Sequence, residues 1–152
     1  MFYRVALFST FLTLFVIVLG AYVRLSDAGL GCPDWPGCYG QLVVPETSEA
    51  VDQANQAYPE RLVEAGKAWK EMIHRYAAGT LGLFVLFLAV AAFRQREKPD
   101  QPVVLPVFLV FVIIFQALLG MWTVTLLLKP VIVMGHLLGG LVTLSCLTWL
   151  VL

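Results

Sequence analysis

VVLPVFLVFVIIFQALLGMWTVTLLLKPVIVMGHLLGGLVTLSCLTWLVL (residues 103–152) carries one charged side chain, Lys129, in its whole length. A helix needs about 20 apolar residues to cross a hydrocarbon core of about 30 Å, so the stretch holds two such lengths joined at Lys129-Pro130. Proline ends a preceding helix and suits the first turn of the next. The reading is a tight hairpin of two membrane-spanning helices, 103–128 and 131–152.

Working outward, two more apolar runs of spanning length occupy residues 5–23 and 76–93. Hydrophobic residues make up 60% of the 152 positions and charged residues 13%, with a mean hydropathy of +0.85, far outside the range of a soluble domain. The first run follows only Arg4 and lacks a small-x-small cleavage site, so it reads as a retained helix rather than a signal peptide. The expected fold is an all-α membrane protein: one domain over 1–152, a four-transmembrane-helix antiparallel bundle with one long outer loop, 24–75. No nucleic-acid partner is expected.

Arg94, Arg96 and Lys98 lie between the second and third helices, and Arg4 precedes the first, which places those ends in the cytoplasm. The loop is then translocated, and its five Lys/Arg against eight Asp/Glu make it acidic. A faint repeat runs through the chain. LGAYVRL (19–25) closes helix 1, LGMWTV (119–124) lies in the outer half of helix 3, and each precedes a helix with a histidine in its outer part. Two copies of one hairpin would make helices 2 and 4 equivalent.

The loop opens with GCPDWPGCYG (31–40). On an oxidising side of the membrane a Cys32–Cys38 disulfide is the first reading, since Pro33, Pro36 and Gly37 let the chain double back. Two unpaired thiols are the alternative; zinc lacks further ligands in the loop. So small a ring gains little loop-closure entropy, which points to a local clamp or a redox role. Cys146, deep in helix 4, reads as a packing residue.

His74 and His136 are the only histidines, both in the outer third of helices that run the same way, once helix 2 is extended back through AWKEMIHR. Ionisable residues at membrane depth are functional candidates. Two imidazoles at similar depth suit the axial positions of a haem iron, with Gly79 and Gly82, and Gly135, Gly139 and Gly140, leaving room for the flat ring. Interhelical hydrogen bonding by the histidines, and close helix packing at Gly135 and Gly139, are the competing readings. Arg24 and Arg75 stand at the outer mouth, where they suit haem propionates or simply lipid headgroups. Glu71 precedes His74 by one turn, placed to orient it, relay protons or act as a base, or merely solvated in the first turn of a helix.

VRLSDAGLGCPDWPGCYG, EMIHRYAAGTLG, QALLGMWTV and GHLLGGLV, in that order, resemble the haem A synthase family of cytochrome oxidase assembly enzymes. The resemblance spans all four helices. It implies oxidation of a ring methyl of haem O to the formyl group of haem A. It also implies an eight-helix protein of two similar halves, each with a histidine pair: the first half for the substrate haem, the second for a haem b that carries electrons. By that resemblance His74 and His136 are iron ligands of the first half, Glu71 is its catalytic acid, and Cys32 and Cys38 are its outer-loop cysteine pair. The implied partners are membrane lipid, haem O, a C-terminal half or a second copy, haem O synthase and cytochrome oxidase. The chain stops after helix 4, so it is expected to be a piece of a longer polypeptide or a half-length member that dimerises. The absence of an Arg/Ser-rich presequence points to a bacterial inner membrane. The runner-up is a non-catalytic electron-transfer cytochrome module, followed by a structural assembly subunit whose histidines only hydrogen-bond.

Overall fold

The computed structural model describes residues 1–152. It holds five helices and no strands: α1 (Phe2–Leu25), α2 (Ser48–Ala57), α3 (Ala65–Arg94), α4 (Val104–Thr125) and α5 (Pro130–Val151). All but α2 are long and apolar enough to cross a membrane. They form a four-helix bundle in which α1 packs on α3 and α5, and α4 on the same two. Two diagonals follow: α1 faces α4 across the bundle, and α3 faces α5.

The end away from the long loop is closed by an apolar core of Phe2, Ala6, Leu81, Val85, Leu88, Ala92, Leu109, Leu147 and Leu150. Phenylalanines 8, 11, 15, 111 and 115 point outward instead, as side chains facing lipid do. Buried hydroxyls in the spans turn back on their own helices: Ser9 donates to the Val5 carbonyl, Thr13 to Ser9 and Thr143 to Gly139. None of these polar groups is left for another role.

The repeat reaches the helix caps. At the end of α1, Ser26, Asp27 and Ala28 N–H groups donate to the carbonyls of Tyr22, Arg24 and Val23; at the end of α4, Leu126, Leu127 and Leu128 donate to Trp122, Val124 and Thr123. The six pairings coincide at a spacing of one hundred residues, and Asp27 and Leu127 share a left-handed φ of 52°. Leu127 and Leu128, both left-handed, end α4 at Thr125, three residues short of the expected boundary.

Two features of the loop exceed the sequence reading. Helix α3 begins at Ala65, three residues before the expected extension through AWKEMIHR (68–75), and projects three turns beyond the span 76–93. Within the loop, Thr47 caps α2 by accepting the Ala50 N–H at 3.3 Å. The disulfide, Tyr39, Val44 and Ala54 bury against Ala68 and Met72 of the projecting α3. The loop is thus a packed cap on the bundle.

Candidate functional site

Cys32 and Cys38 form a disulfide, and the ring closes on a two-residue turn in which Cys38 and Gln41 exchange N–H···O bonds of 2.7 and 3.1 Å. Tyr39 and Gly40 both take left-handed φ there, and Asp34 accepts their N–H groups at 2.7 and 2.8 Å. Gly31 brings this ring onto α3. A Cβ at residue 31 would lie 2.6 Å from the Lys67 carbonyl carbon, so only glycine allows the approach.

At that contact Glu71 is buried and accepts the Cys32 N–H at 3.0 Å. Its other oxygen pairs with Arg75, one turn further along α3. The same guanidinium donates to the carbonyls of Asp34, Pro36 and Gly37. One of the readings of Glu71 falls, and the expectation for Arg75 changes. Glu71 is not a solvated first-turn carboxylate, and Arg75 does not stand free at the mouth: its donors turn into the loop because the disulfide ring presents three carbonyls to it. Arg24 remains exposed in the last turn of α1 and makes no salt bridge.

His74, one turn inside Glu71, lies over Gly20 of α1. A Cβ there would meet the imidazole Cε1 at 2.9 Å. His136 of α5 lies over Gly120 of α4 in the same manner, at 3.5 Å. These are the two glycines of the repeated Leu-Gly pairs, so each hairpin seats its histidine on the matching position of its first helix. Depth follows from a further contact, in which a Cβ at Gly140 would touch Ile17 at 3.4 Å. One turn toward the loop from that level are Gly20 on α1, with His74 over it, and His136 on α5. The imidazoles therefore sit at one level on diagonal helices.

The groups behind the two rings differ. Gln116 of α4 is buried; its amide nitrogen donates to the His136 carbonyl at 2.9 Å, and its Oε1 lies 3.1 Å from His136 Nδ1. With the amide fixed by that donation, the ring nitrogen facing Oε1 has to carry the proton, which leaves Nε2 with the lone pair. His74 Nδ1 is buried without any hydrogen-bond partner. Gln116 escaped the sequence reading. A lone amide in an otherwise apolar span, four residues before the repeated glycine, was the available signal. Gly139 has a role of its own: a Cβ there would strike the Gln116 amide at 2.7 Å, so this glycine makes room for Gln116.

The two histidines at one level, with the Nε2 lone pair of His136 left free by Gln116, fit a haem, whose iron takes two imidazole ligands. No cluster of three or more His, Cys, Asp or Glu could hold a bare metal ion. Fold and site together define a multi-pass membrane protein with a histidine pair across the bundle, capped by a disulfide loop on a buried Glu–Arg pair.

The family profile described as cytochrome oxidase assembly protein matches residues 3–152, and the chain belongs to that family. It is 54% identical to the heme A synthase of Shewanella oneidensis over 140 residues, 92% of this chain and 42% of that protein. It is 30% identical to that of Shouchella clausii over 118 residues, covering 77% and 34%, and 34% identical to that of a Caulobacter species over 109 residues, covering 72% and 30%. The chain thus spans less than half the length of these relatives. No solved structure matches it.

Proposed function

We propose that residues 1–152 form the four-helix unit of a haem A synthase that binds the substrate, haem O, for oxidation of one ring methyl to a formyl group. The observation that carries this reading is the placement of His74 and His136 at one level on diagonal helices, with Glu71 one turn above His74. The family membership supports it.

His74 and His136 hold the iron, and Arg24, exposed and without a salt bridge, is placed to meet a propionate. Bound haem O supplies the methyl group and the conjugated ring that stabilises charge beside it. Glu71, desolvated beneath the disulfide loop and held by Arg75 and the Cys32 N–H, takes protons during the oxidation. Arg75 orients that carboxylate rather than meeting the substrate. With water as the oxygen donor the conversion of methyl to formyl releases four protons and four electrons, and the electrons leave to a second haem, in a C-terminal half or in a second copy of the chain. The loop faces the periplasm of a bacterial inner membrane, with the N-terminus in the cytoplasm.

The test is to purify the chain in detergent from cells that make haem O, record oxidised and reduced spectra, and identify the extracted haem by chromatography. Haem O or haem A with a bis-imidazole spectrum supports the reading, and haem A means this unit or its dimer performs the chemistry. Haem b alone moves the assignment to an electron-transfer cytochrome. A chain without haem sinks both.

A further inference from the structure

The first helices of the two hairpins, α1 and α4, match at a spacing of one hundred residues, in their caps and in the glycines beneath the histidines. That register makes the differences between the hairpins meaningful. Gln116, four residues before Gly120, corresponds to Val16, four residues before Gly20. One hairpin therefore backs its histidine with a side-chain amide oxygen, and the other has an alkyl side chain at that place and only its backbone against the His74 ring. The outcome is seen at the rings: His136 Nδ1 is engaged at 3.1 Å, while His74 Nδ1 is buried and unpartnered.

We propose that Gln116 is the positioning residue that makes His136 the stronger iron ligand, and that Val16 leaves His74 as the weaker one, the first to exchange. This rests on the haem reading above. An acceptor at Nδ1–H holds the tautomer and the ring orientation and raises the basicity of the other nitrogen toward a metal. Gln116 does this while bonding the His136 backbone, so the ring and its helix are held by one side chain. Gly139 protects the arrangement, since a methyl group there would displace the amide. His74 has steric support from Gly20 and a backbone contact with Val16, but no side chain holds its ring and its Nδ1 has no partner. The hairpin with the unheld histidine is also the one with Glu71; the place matching Glu71, three residues before His136, is Val133. As haem enters and leaves beside the acid, the bond to His74 is the last made and the first broken, while the bond to His136 is the first made and the last broken.

The experiment uses the purified chain loaded with haem b, with carbon monoxide as the displacing ligand. Resonance Raman after photolysis of the ferrous carbonyl reads the iron–histidine stretch of the ligand that stayed bound. Gln116→Glu, of matching size and a stronger acceptor, should raise that frequency and lower the midpoint potential. Gln116→Val should lower the frequency, raise the potential and weaken haem binding by about 10- to 100-fold. Val16→Gln, which supplies His74 with the missing acceptor, should slow carbon monoxide binding without moving the stretch. Wild-type chain that takes up no haem would defeat the haem reading itself. Haem-loaded wild type whose stretch and potential are the same in Gln116→Glu would overturn the inference alone, and that variant decides even if Gln116→Val fails to assemble.

Discussion

At the scale of single residues, the site depends on what is missing beneath the imidazoles as much as on the imidazoles. The clearance over Gly20 is below contact distance for a methyl group, 2.9 Å, while that over Gly120 is an ordinary 3.5 Å. Gly20→Ala should displace His74 at a cost of about 1–3 kcal/mol, typical of overpacking. Gly120→Ala should be nearly neutral. Haem titration of both variants checks this, and equal losses would remove the argument from the glycine seats. Glu71→Gln keeps an oxygen for the Cys32 N–H but loses the charge. Haem content should therefore be retained while turnover is lost, read by chromatography of extracted haem; normal production of haem A would end the catalytic role of Glu71.

At the scale of elements, the outer loop is held by a few specific bonds rather than by regular structure. Arg75→Met removes the cation beside a buried carboxylate and the donor to three loop carbonyls, for which about 3–5 kcal/mol is the usual cost. Limited proteolysis in the segment 33–64 should accelerate strongly, and a protease-resistant loop in that variant would show that the cap is held elsewhere. The loop also carries a pH limit. Tyr39 is buried, donates to the Leu62 carbonyl at 3.0 Å, and has a pKa raised by burial, opposed in part by Arg61. Because the folded value lies above the unfolded one, its contribution is fully present below about pH 10, the ordinary tyrosine range, and is lost as the pH climbs through the folded value. Tyrosinate absorbance against pH should lose its late-titrating component in Tyr39→Phe.

At the scale of the whole molecule, the bundle divides across the membrane into a sealed apolar half and a half that holds the histidines beneath the cap. The histidine pair belongs to the bundle and not to either hairpin, since each imidazole is seated by a different pair of helices. His74→Ala and His136→Ala should each abolish the bis-imidazole spectrum, and a spectrum unchanged in both would refute ligation across the bundle. Much of this architecture was legible beforehand. Four apolar runs, the Lys129-Pro130 turn and the repeated Leu-Gly pairs led to four spans and an internal symmetry, and the structure extends that symmetry to matched helix caps. Helix α2 was not legible, because its ten residues, SEAVDQANQA, bury only Ala54 and show no apolar run.

By itself the sequence determined the solvent and the cast. Apolar runs of spanning length have one favourable environment, and an ionisable side chain within or beside such a run stands out because burying it there is costly. Only the tertiary structure decided which group meets which. Helices that are apolar nearly all round carry no stripe that tells which face turns inward. Rotation about each axis is set by contacts between distant segments, such as Gly20 with His74 and Gln116 with His136. The same holds for Arg75, whose place at the mouth was readable from its position in α3. Its turn into the loop was not, because the carbonyls that draw it exist as a cluster only once the disulfide ring has closed over Glu71.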